Sequence, residues 1–235
     1  MLTTLIAMAI APALICLVYI YARDKFEKEP WGLLIIGVLT GVLITVPIMR
    51  TAGFIAGFLP PVGHFGEVLF TSFIIASFVE EGFKFAALYF LIWQNRNMNE
   101  KMDGIVYAVF ISLGFAGVEN ILYVLHPNLG GTATALGRAV VSVPAHGLFG
   151  VVMGYYFALA KFEPSKRKLH ISCALFVPLI IHGVYNSLLL SNNSLLILAF
   201  IPFIAALWID GHKKIKQHLA TSPFMPSNNV NSGQG

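Results

Sequence analysis

Charged residues are scarce in this chain. Asp, Glu, Lys and Arg make up 11% of its 235 residues, whereas hydrophobic residues make up 57%. Because soluble domains ordinarily carry about 25% charged residues, the composition excludes an ordinary soluble protein and predicts an integral membrane protein. The net charge of +4 comes mainly from loop residues that face anionic lipid, and no stretch combines basic with aromatic side chains. We therefore expect no nucleic-acid partner.

Cysteine is almost absent as well. Cys16 and Cys173 both lie within apolar stretches, which argues against a disulfide framework and against a thiolate metal site. The helical zinc motif His-Glu-x-x-His is also missing. A metal site in this chain would therefore be indicated by its ligand types alone.

Long apolar runs fill most of the chain. Runs of about 18 or more residues indicate membrane-spanning helices. Seven runs qualify: 2–22, 31–49, 67–93, 104–126, 138–160, 171–190 and 194–210. The sequence predicts an all-α, polytopic bundle of about seven transmembrane helices, surrounded by the lipid bilayer of the cell membrane. The second run contains Gly37-x-x-x-Gly41, a spacing that lets two helices approach closely.

The distribution of basic residues predicts the orientation of the bundle. Twelve of the 15 Lys and Arg residues lie in the loops after the first, third and fifth runs and in the C-terminal tail. The positive-inside rule places those segments in the cytoplasm, so the N-terminus is expected outside. We expect residues 1–210 to form one transmembrane domain. Residues 211–235 are expected to form a cytoplasmic tail too polar to fold.

Two carboxylates and an ammonium group interrupt the third run. Glu80 and Lys84 are four residues apart and share a helix face, and Glu81 lies within i+3 reach of Lys84. Each ionised side chain near a bilayer centre costs at least about 2.5 kcal/mol unless other groups solvate it. The default interpretation of such residues is a functional site, and the alternative is an ion pair that only fixes the packing of the helix.

Three further runs contain polar side chains at a similar depth. Glu119 lies in the fourth run, His146 in the fifth, and His182 in the sixth, where Asn186 follows one turn later. In the expected orientation, these acid and histidine residues lie roughly 10–12 Å below the outer surface. We expect them to meet Glu80 in one layer.

This set of groups is suited to activating water and stabilising an oxyanion, as peptide-bond hydrolysis requires. Serine chemistry fits less well, because only Ser142 and Ser187 lie near the histidines in sequence. Two versions stay open. In one, Glu119, His146 and His182 bind Zn²⁺ and a glutamate of the third run is the general base. In the other, a glutamate deprotonates water without a metal.

Four motifs occur in a familiar order: Glu80-Glu81-x-x-Lys84, Phe115-x-x-x-Glu119-Asn120, the His146 segment and His182-x-x-x-Asn186. Together they resemble the motifs of the PrsW family of intramembrane proteases, which are distant relatives of the CAAX prenyl endopeptidases. The resemblance covers about residues 70–190, so residues 1–210 are expected to form a transmembrane protease domain. It implies cleavage of a single-pass membrane substrate, typically an anti-sigma factor cut near the outer face as the first step of regulated proteolysis.

The resemblance also implies roles for individual residues. Glu80 and Glu81 would be the water-activating pair and Lys84 their partner. The other catalytic or metal-binding positions would be Glu119, His146 and His182. Asn186 stands where some members carry Asp, so it would be either a ligand or an oxyanion donor.

Two other function classes compete with a protease. A proton- or ion-coupled transporter would also bury acids beside a lysine, but the chain shows no pair of similar halves with matching broken helices. A non-catalytic membrane scaffold would leave the cost of the buried polar groups unexplained.

Overall fold

A computed structural model describes residues 2–226 of the chain. Within that range the chain is helical and forms no strand. The helices are α1 (Leu2–Arg23), α2 (Trp31–Ala56), α3 (Gly63–Phe70), α4 (Val79–Ile92), α5 (Lys101–Val124), α6 (Thr132–Val140), α7 (Ser142–Phe162), α8 (Arg167–Leu190) and α9 (Ser194–Leu219). A π-helical segment, Thr71–Phe78, joins α3 to α4, and a short 3₁₀ turn, Pro164–Lys166, precedes α8.

The structure confirms the predicted polytopic helical bundle. Six helical stretches in residues 2–226 are long and apolar enough to cross a membrane. The third expected span, 67–93, is not among them because it consists of three shorter segments, which together form one continuous helical run from α3 through the π segment to α4. The protein is therefore a multi-pass membrane protein. The outward orientation of its N-terminus stays a prediction.

Helix α5 lies at the centre of the bundle and is buried along most of its length. It contacts α2 where Gly41 lies against the backbone of Gly114, so that a methyl group on either glycine would overlap the opposite helix. On another face, a methyl group added at Gly104 would lie only 2.7 Å from the carbonyl oxygen of Gly154 on α7. Small residues thus bring both neighbouring helices against α5, and Gly41 does what its spacing predicts.

The outer helices present apolar side chains to the bilayer. Leu43 on α2, Phe90 on α4 and Leu195 on α9 are among the large hydrophobic side chains that are most exposed. Such exposure is unfavourable in water but is satisfied by lipid.

Helix α9 continues past residue 210, the expected end of the membrane domain. Gly211 and Ile215 are buried against the bundle, and His218 stacks on Tyr155 with ring centroids 4.3 Å apart. Because of these contacts, 211–219 is helical rather than part of the disordered tail expected over 211–235. Residues 227–235 of that tail lie outside the described range.

Candidate active site

The acidic pair of α4 follows directly after the π segment. Within that segment the Ser77 hydroxyl donates to the carbonyl oxygen of Ser72, 2.6 Å away. A π turn inserts an extra residue into the helical repeat and is often found at functional sites. The π segment therefore sets how α4 is rotated about its axis, and with it the direction of the Glu80 and Glu81 side chains. Both carboxylates are buried inside the bundle.

Lys84 lies between the two carboxylates. Its Nζ donates to Glu81 Oε1 at 2.9 Å and to Glu80 Oε2 at 3.4 Å. The lysine side chain is 1% exposed, so it is a buried counter-charge and not a snorkelling one. The same Nζ lies 4.3 Å from the centroid of the Phe115 ring on α5, an arrangement that favours a cation.

Two histidines complete this cluster from the other side of the bundle. His182 Nδ1 on α8 donates to Glu81 Oε1 at 2.9 Å. His146 Nδ1 on α7 lies 3.2 Å from Lys84 Nζ. The two imidazole rings are 5.2 Å apart and nearly perpendicular, and the His182 ring stacks on Phe149 at 4.6 Å.

The hydrogen bonds of His146 assign its tautomer. A lysine ammonium group only donates, so Nδ1 accepts from Lys84 and Nε2 carries the hydrogen. That Nε2 donates to Glu119 Oε2 at 3.1 Å. In His182 the nitrogen that contacts Glu81 is Nδ1, so Nε2 is the ring nitrogen that can face a ligand.

Glu119 belongs to a second branch of the site. Arg138 Nη2 donates to Glu119 Oε2 at 2.5 Å, and its Nε donates to Asn120 Oδ1 at 2.9 Å. Asn120 in turn donates to the carbonyl oxygen of Ala9 at 2.8 Å. Sequence reasoning did not assign a role to Arg138 or Asn120. The sequence feature that could have indicated Arg138 is that it is one of only three basic residues outside the basic loops and the tail.

Four donors could hold a metal ion. Glu80, Glu81, His146 and His182 each offer one ligand atom, and these atoms lie within 4.8 Å of one another. Two carboxylates and two imidazoles are donors that Zn²⁺ accepts. The second oxygen of Glu81, Oε2, is buried without a hydrogen-bond partner in the described part of the chain, as a ligand atom awaiting a cation would be.

This group differs from the ligand set expected from the sequence. Glu119 lies beyond His146 and is engaged by Arg138, whereas the two acids of α4 lie beside both histidines. The structure thus brings six of the seven expected site residues into one connected network. The seventh, Asn186, is half-buried one turn after His182, and its carboxamide makes no hydrogen bond within residues 2–226.

No serine or threonine of the described residues is hydrogen-bonded to either imidazole ring. Ser142 accepts from the Tyr185 hydroxyl at 3.2 Å, and Ser187 donates to the carbonyl oxygen of Gly183. The described geometry therefore offers no activated serine nucleophile beside His146 or His182.

A cavity of about 270 Å³ leads to the acids. Glu80 and Glu119 line its polar end. Its other walls come from α2 and from the end of α5 with the residues just after it: Thr45, Ile48, Met49, Ala52, Phe115, Leu122, Tyr123 and His126. The cavity therefore has apolar walls and two carboxylates at one end.

A membrane-embedded cluster of carboxylates, imidazoles and a lysine beside a cavity indicates a multi-pass membrane protein that either hydrolyses a substrate or transfers protons. The comparisons with known proteins make this class specific. A family model described as PrsW family intramembrane metalloprotease matches residues 29–208. The chain belongs to this family and is an intramembrane protease. The match favours the protease prediction over the transporter and scaffold alternatives.

Individual relatives are similar over nearly the whole chain. The protein named protease PrsW in Halalkalibacterium halodurans is 36% identical over 214 residues, which cover 91% of this chain and 96% of that protein. The protein of the same name in Geobacillus kaustophilus is 37% identical, with 91% and 92% covered. That of Bacillus subtilis is 34% identical, with 91% and 94% covered. No solved structure matches the chain.

Proposed function

We propose that this protease hydrolyses a peptide bond of a single-pass membrane substrate of the anti-sigma factor type, with a glutamate of α4 activating the water. The observation that carries the proposal is the buried group of Glu80, Glu81, His146 and His182, whose ligand atoms lie within 4.8 Å of one another. These residue types supply a base, positive charge and metal donors at one point inside the bundle.

The contacts of the two glutamates favour different roles. Glu81 is 0% exposed and its Oε1 accepts from both Lys84 and His182, so its orientation is fixed. Glu80 has only the longer 3.4 Å contact with Lys84, and it lines the cavity. We therefore assign Glu80 as the general base and Glu81 as the residue that positions Lys84 and His182.

The reaction then follows from proton transfer at Glu80. Its carboxylate takes a proton from water while the water oxygen bonds to the carbonyl carbon of the substrate. The resulting oxyanion is stabilised by nearby hydrogen-bond donors, for which the half-buried Asn186 is a candidate by family resemblance. Glu80 then gives its proton to the departing amide nitrogen as the C–N bond breaks. One water is consumed, and the products are a carboxylic acid and an amine.

A zinc ion would fit the donor types of this centre. Glu81, His146 and His182 would hold it, and the ion would supply Lewis-acid activation of water. Lys84 donates to Glu81 Oε1 and to His146 Nδ1, so a zinc ion would have to displace its ammonium group from these two donors. A metal-free mechanism would use Glu80 in the same way, with Lys84 as the permanent cation.

The cavity fits a membrane-derived peptide. Peptide bonds within a helix are shielded by their own hydrogen bonds, so the segment to be cleaved has to unwind before water can attack. Met49 and Leu122 offer apolar contacts to the substrate side chains, while Thr45, Tyr123 and His126 offer hydrogen-bonding groups to the freed backbone. In the expected orientation the cavity lies towards the outer face, in keeping with first-site cleavage there.

Cleavage of a single-pass reporter substrate by the purified protein tests the proposal. We expect Glu80→Gln to reduce the cleavage rate by about 10²–10⁴-fold, because the amide cannot accept the proton. Glu67→Gln is the matched control, since Glu67 is an exposed acid on α3 outside this network. Full activity of Glu80→Gln in a folded preparation would contradict the proposed mechanism.

A further inference from the structure

A second group of acids, two buried and one half-buried, lies away from the active site, where the loop between α1 and α2 meets the start of α5. Glu27, Glu29 and Asp103 each offer a carboxylate oxygen, and these oxygens lie within 4.8 Å of one another. Glu29 is 1% exposed and Asp103 is 0% exposed. No histidine or cysteine belongs to this group, so its donors are oxygen atoms alone.

The acids of this group are only partly satisfied by the protein. Glu29 Oε2 accepts from the Tyr107 hydroxyl, and Asp103 Oδ2 accepts from the backbone N–H groups of Asn99 and Glu100, each at 2.7 Å. The remaining oxygens, Glu29 Oε1 and Asp103 Oδ1, are buried and have no partner in the described part of the chain. The same holds for Glu27 Oε2.

A fourth acid, Asp24, lies near this group, although its oxygens are not among those within 4.8 Å of one another. Asp24, at the end of α1, is 0% exposed, and both of its carboxylate oxygens are buried without a hydrogen-bond partner within residues 2–226. The negative charges of Glu100 and Glu29 lie close enough to act on it. Burial raises the pKa of Asp24 and of Glu29 to about 7, a sign of how poorly the protein alone solvates these charges.

The neighbouring Lys28 offsets the charge of the group only in part: its charge acts on Asp24, but it forms no ion pair with any of these acids within the described residues. Lys28 donates to the backbone carbonyl oxygens of Tyr21 and Asp24 and lies over the Tyr21 ring at 4.4 Å. Its ammonium group is therefore engaged by the turn after α1. Several buried carboxylates without a paired cation are costly, and the cost is relieved either by protonation or by a bound cation.

We propose that Asp24, Glu27, Glu29 and Asp103 form a binding site for a hard divalent cation, Mg²⁺ or Ca²⁺, that clamps the α1–α2 loop to the start of α5. Carboxylate oxygens are the preferred ligands of both ions, and the absence of nitrogen and sulfur donors disfavours zinc. The site is structural and separate from the catalytic cluster, because none of its members is shared with that cluster.

Thermal unfolding of the full-length protein in detergent tests this site. The protein is stripped with EDTA at pH 8, dialysed, and titrated with MgCl₂ or CaCl₂ while intrinsic tryptophan fluorescence reports unfolding. We expect the Tm to rise by about 5–10 °C at a hundredfold excess of the ion over its Kd. The chloride with the lower half-saturating concentration identifies the preferred ion.

Two variants locate the effect. Asp103→Asn and Asp24→Asn should abolish the cation-dependent shift, while their Tm in EDTA should be equal to or higher than that of the unmodified chain, because a buried repulsion is removed. The shift should persist in Glu67→Gln, an exposed acid, and in His182→Ala, which removes a donor of the catalytic cluster. An unmodified chain that shows no shift, or a shift that persists in both Asp variants, would overturn the proposal.

Discussion

The two buried acid groups of this protein solve the same problem in different ways. In the active site, Glu80 and Glu81 share the ammonium of Lys84, and Glu119 accepts from Arg138. In the pocket beside the start of α5, the acids Asp24, Glu27, Glu29 and Asp103 form no ion pair within the described residues, and each keeps at least one buried oxygen without a hydrogen-bond partner. One group has its counter-charges built in, and the other requires them from solution.

This difference follows from what each site does. A catalytic carboxylate has to accept and release protons, so permanent cations nearby keep it oriented without occupying the position of the substrate. A structural clamp needs only to hold two segments together, which an exchangeable ion does well. A buried group of acids with cationic side chains beside it is therefore suited to catalysis. A buried group of acids without such side chains is suited to binding a structural ion.

Removing the built-in cation should have the largest effect. Lys84→Met leaves Glu80 and Glu81 buried without their ammonium partner, and losing one member of a buried pair costs about 3–5 kcal/mol. We expect a loss of stability of this size in detergent unfolding, together with loss of cleavage. The double variant Lys84→Met/Glu81→Gln should recover part of the stability but none of the activity. Equal stability of Lys84→Met and the unmodified chain would contradict the claim that Lys84 is the counter-charge that Glu80 and Glu81 require.

Arg138 gives a smaller, more selective effect. Arg138→Gln removes the 2.5 Å contact to Glu119, and the resulting displacement of Glu119 and His146 should lower the cleavage rate by up to about 100-fold. Arg50→Gln is the matched control, because Arg50 is an exposed arginine on α2. If the two variants cleaved a reporter at the same rate, Arg138 would have no positioning role.

The smallest effect is expected for an exposed ion pair, the one between Glu163 and Lys101. Glu163 accepts from Lys101 at 2.9 Å, but its side chain is 37% exposed. The hydrogen bond from Lys101 lowers the pKa of Glu163, so the contribution is present above the ordinary glutamate pKa and is lost as the pH falls. Glu163→Gln should change the unfolding free energy at pH 7 by no more than about 0.5 kcal/mol. A change of several kcal/mol would show that solvent exposure does not determine how much an ion pair contributes to the stability of this protein.

The fold was predictable because long apolar runs leave few alternatives to a membrane bundle. The participation of α4, α5, α7 and α8 in the site was predictable as well, because ionisable groups are conspicuous among apolar residues. The particular donor atoms that lie within 4.8 Å of one another were not predictable. That choice depends on how each helix is rotated, and the rotation of α4 depends on the π segment and on packing against α5. Glu119 consequently contacts Arg138, and Glu81 lies beside His182.

The second acid group gave no comparable signal in the sequence. Asp24, Glu27 and Glu29 lie in a loop, where charged residues are normally solvated. Their burial arises only when the start of α5 folds over them and presents Asp103. Tertiary contacts, which no local pattern encodes, therefore create this pocket.

Zinc content, measured by mass spectrometry on the detergent-purified protein, tests the account most directly. An active preparation should contain about one zinc per chain, in keeping with a metalloprotease family. His182→Ala should lose that zinc, whereas Asp103→Asn should retain it because its pocket prefers a different ion. Glu119→Ala should retain zinc if the donors are those grouped in the structure. Zinc that persists in His182→Ala would contradict the assignment of the catalytic centre, whereas an active preparation without zinc would leave only the metal-free use of Glu80.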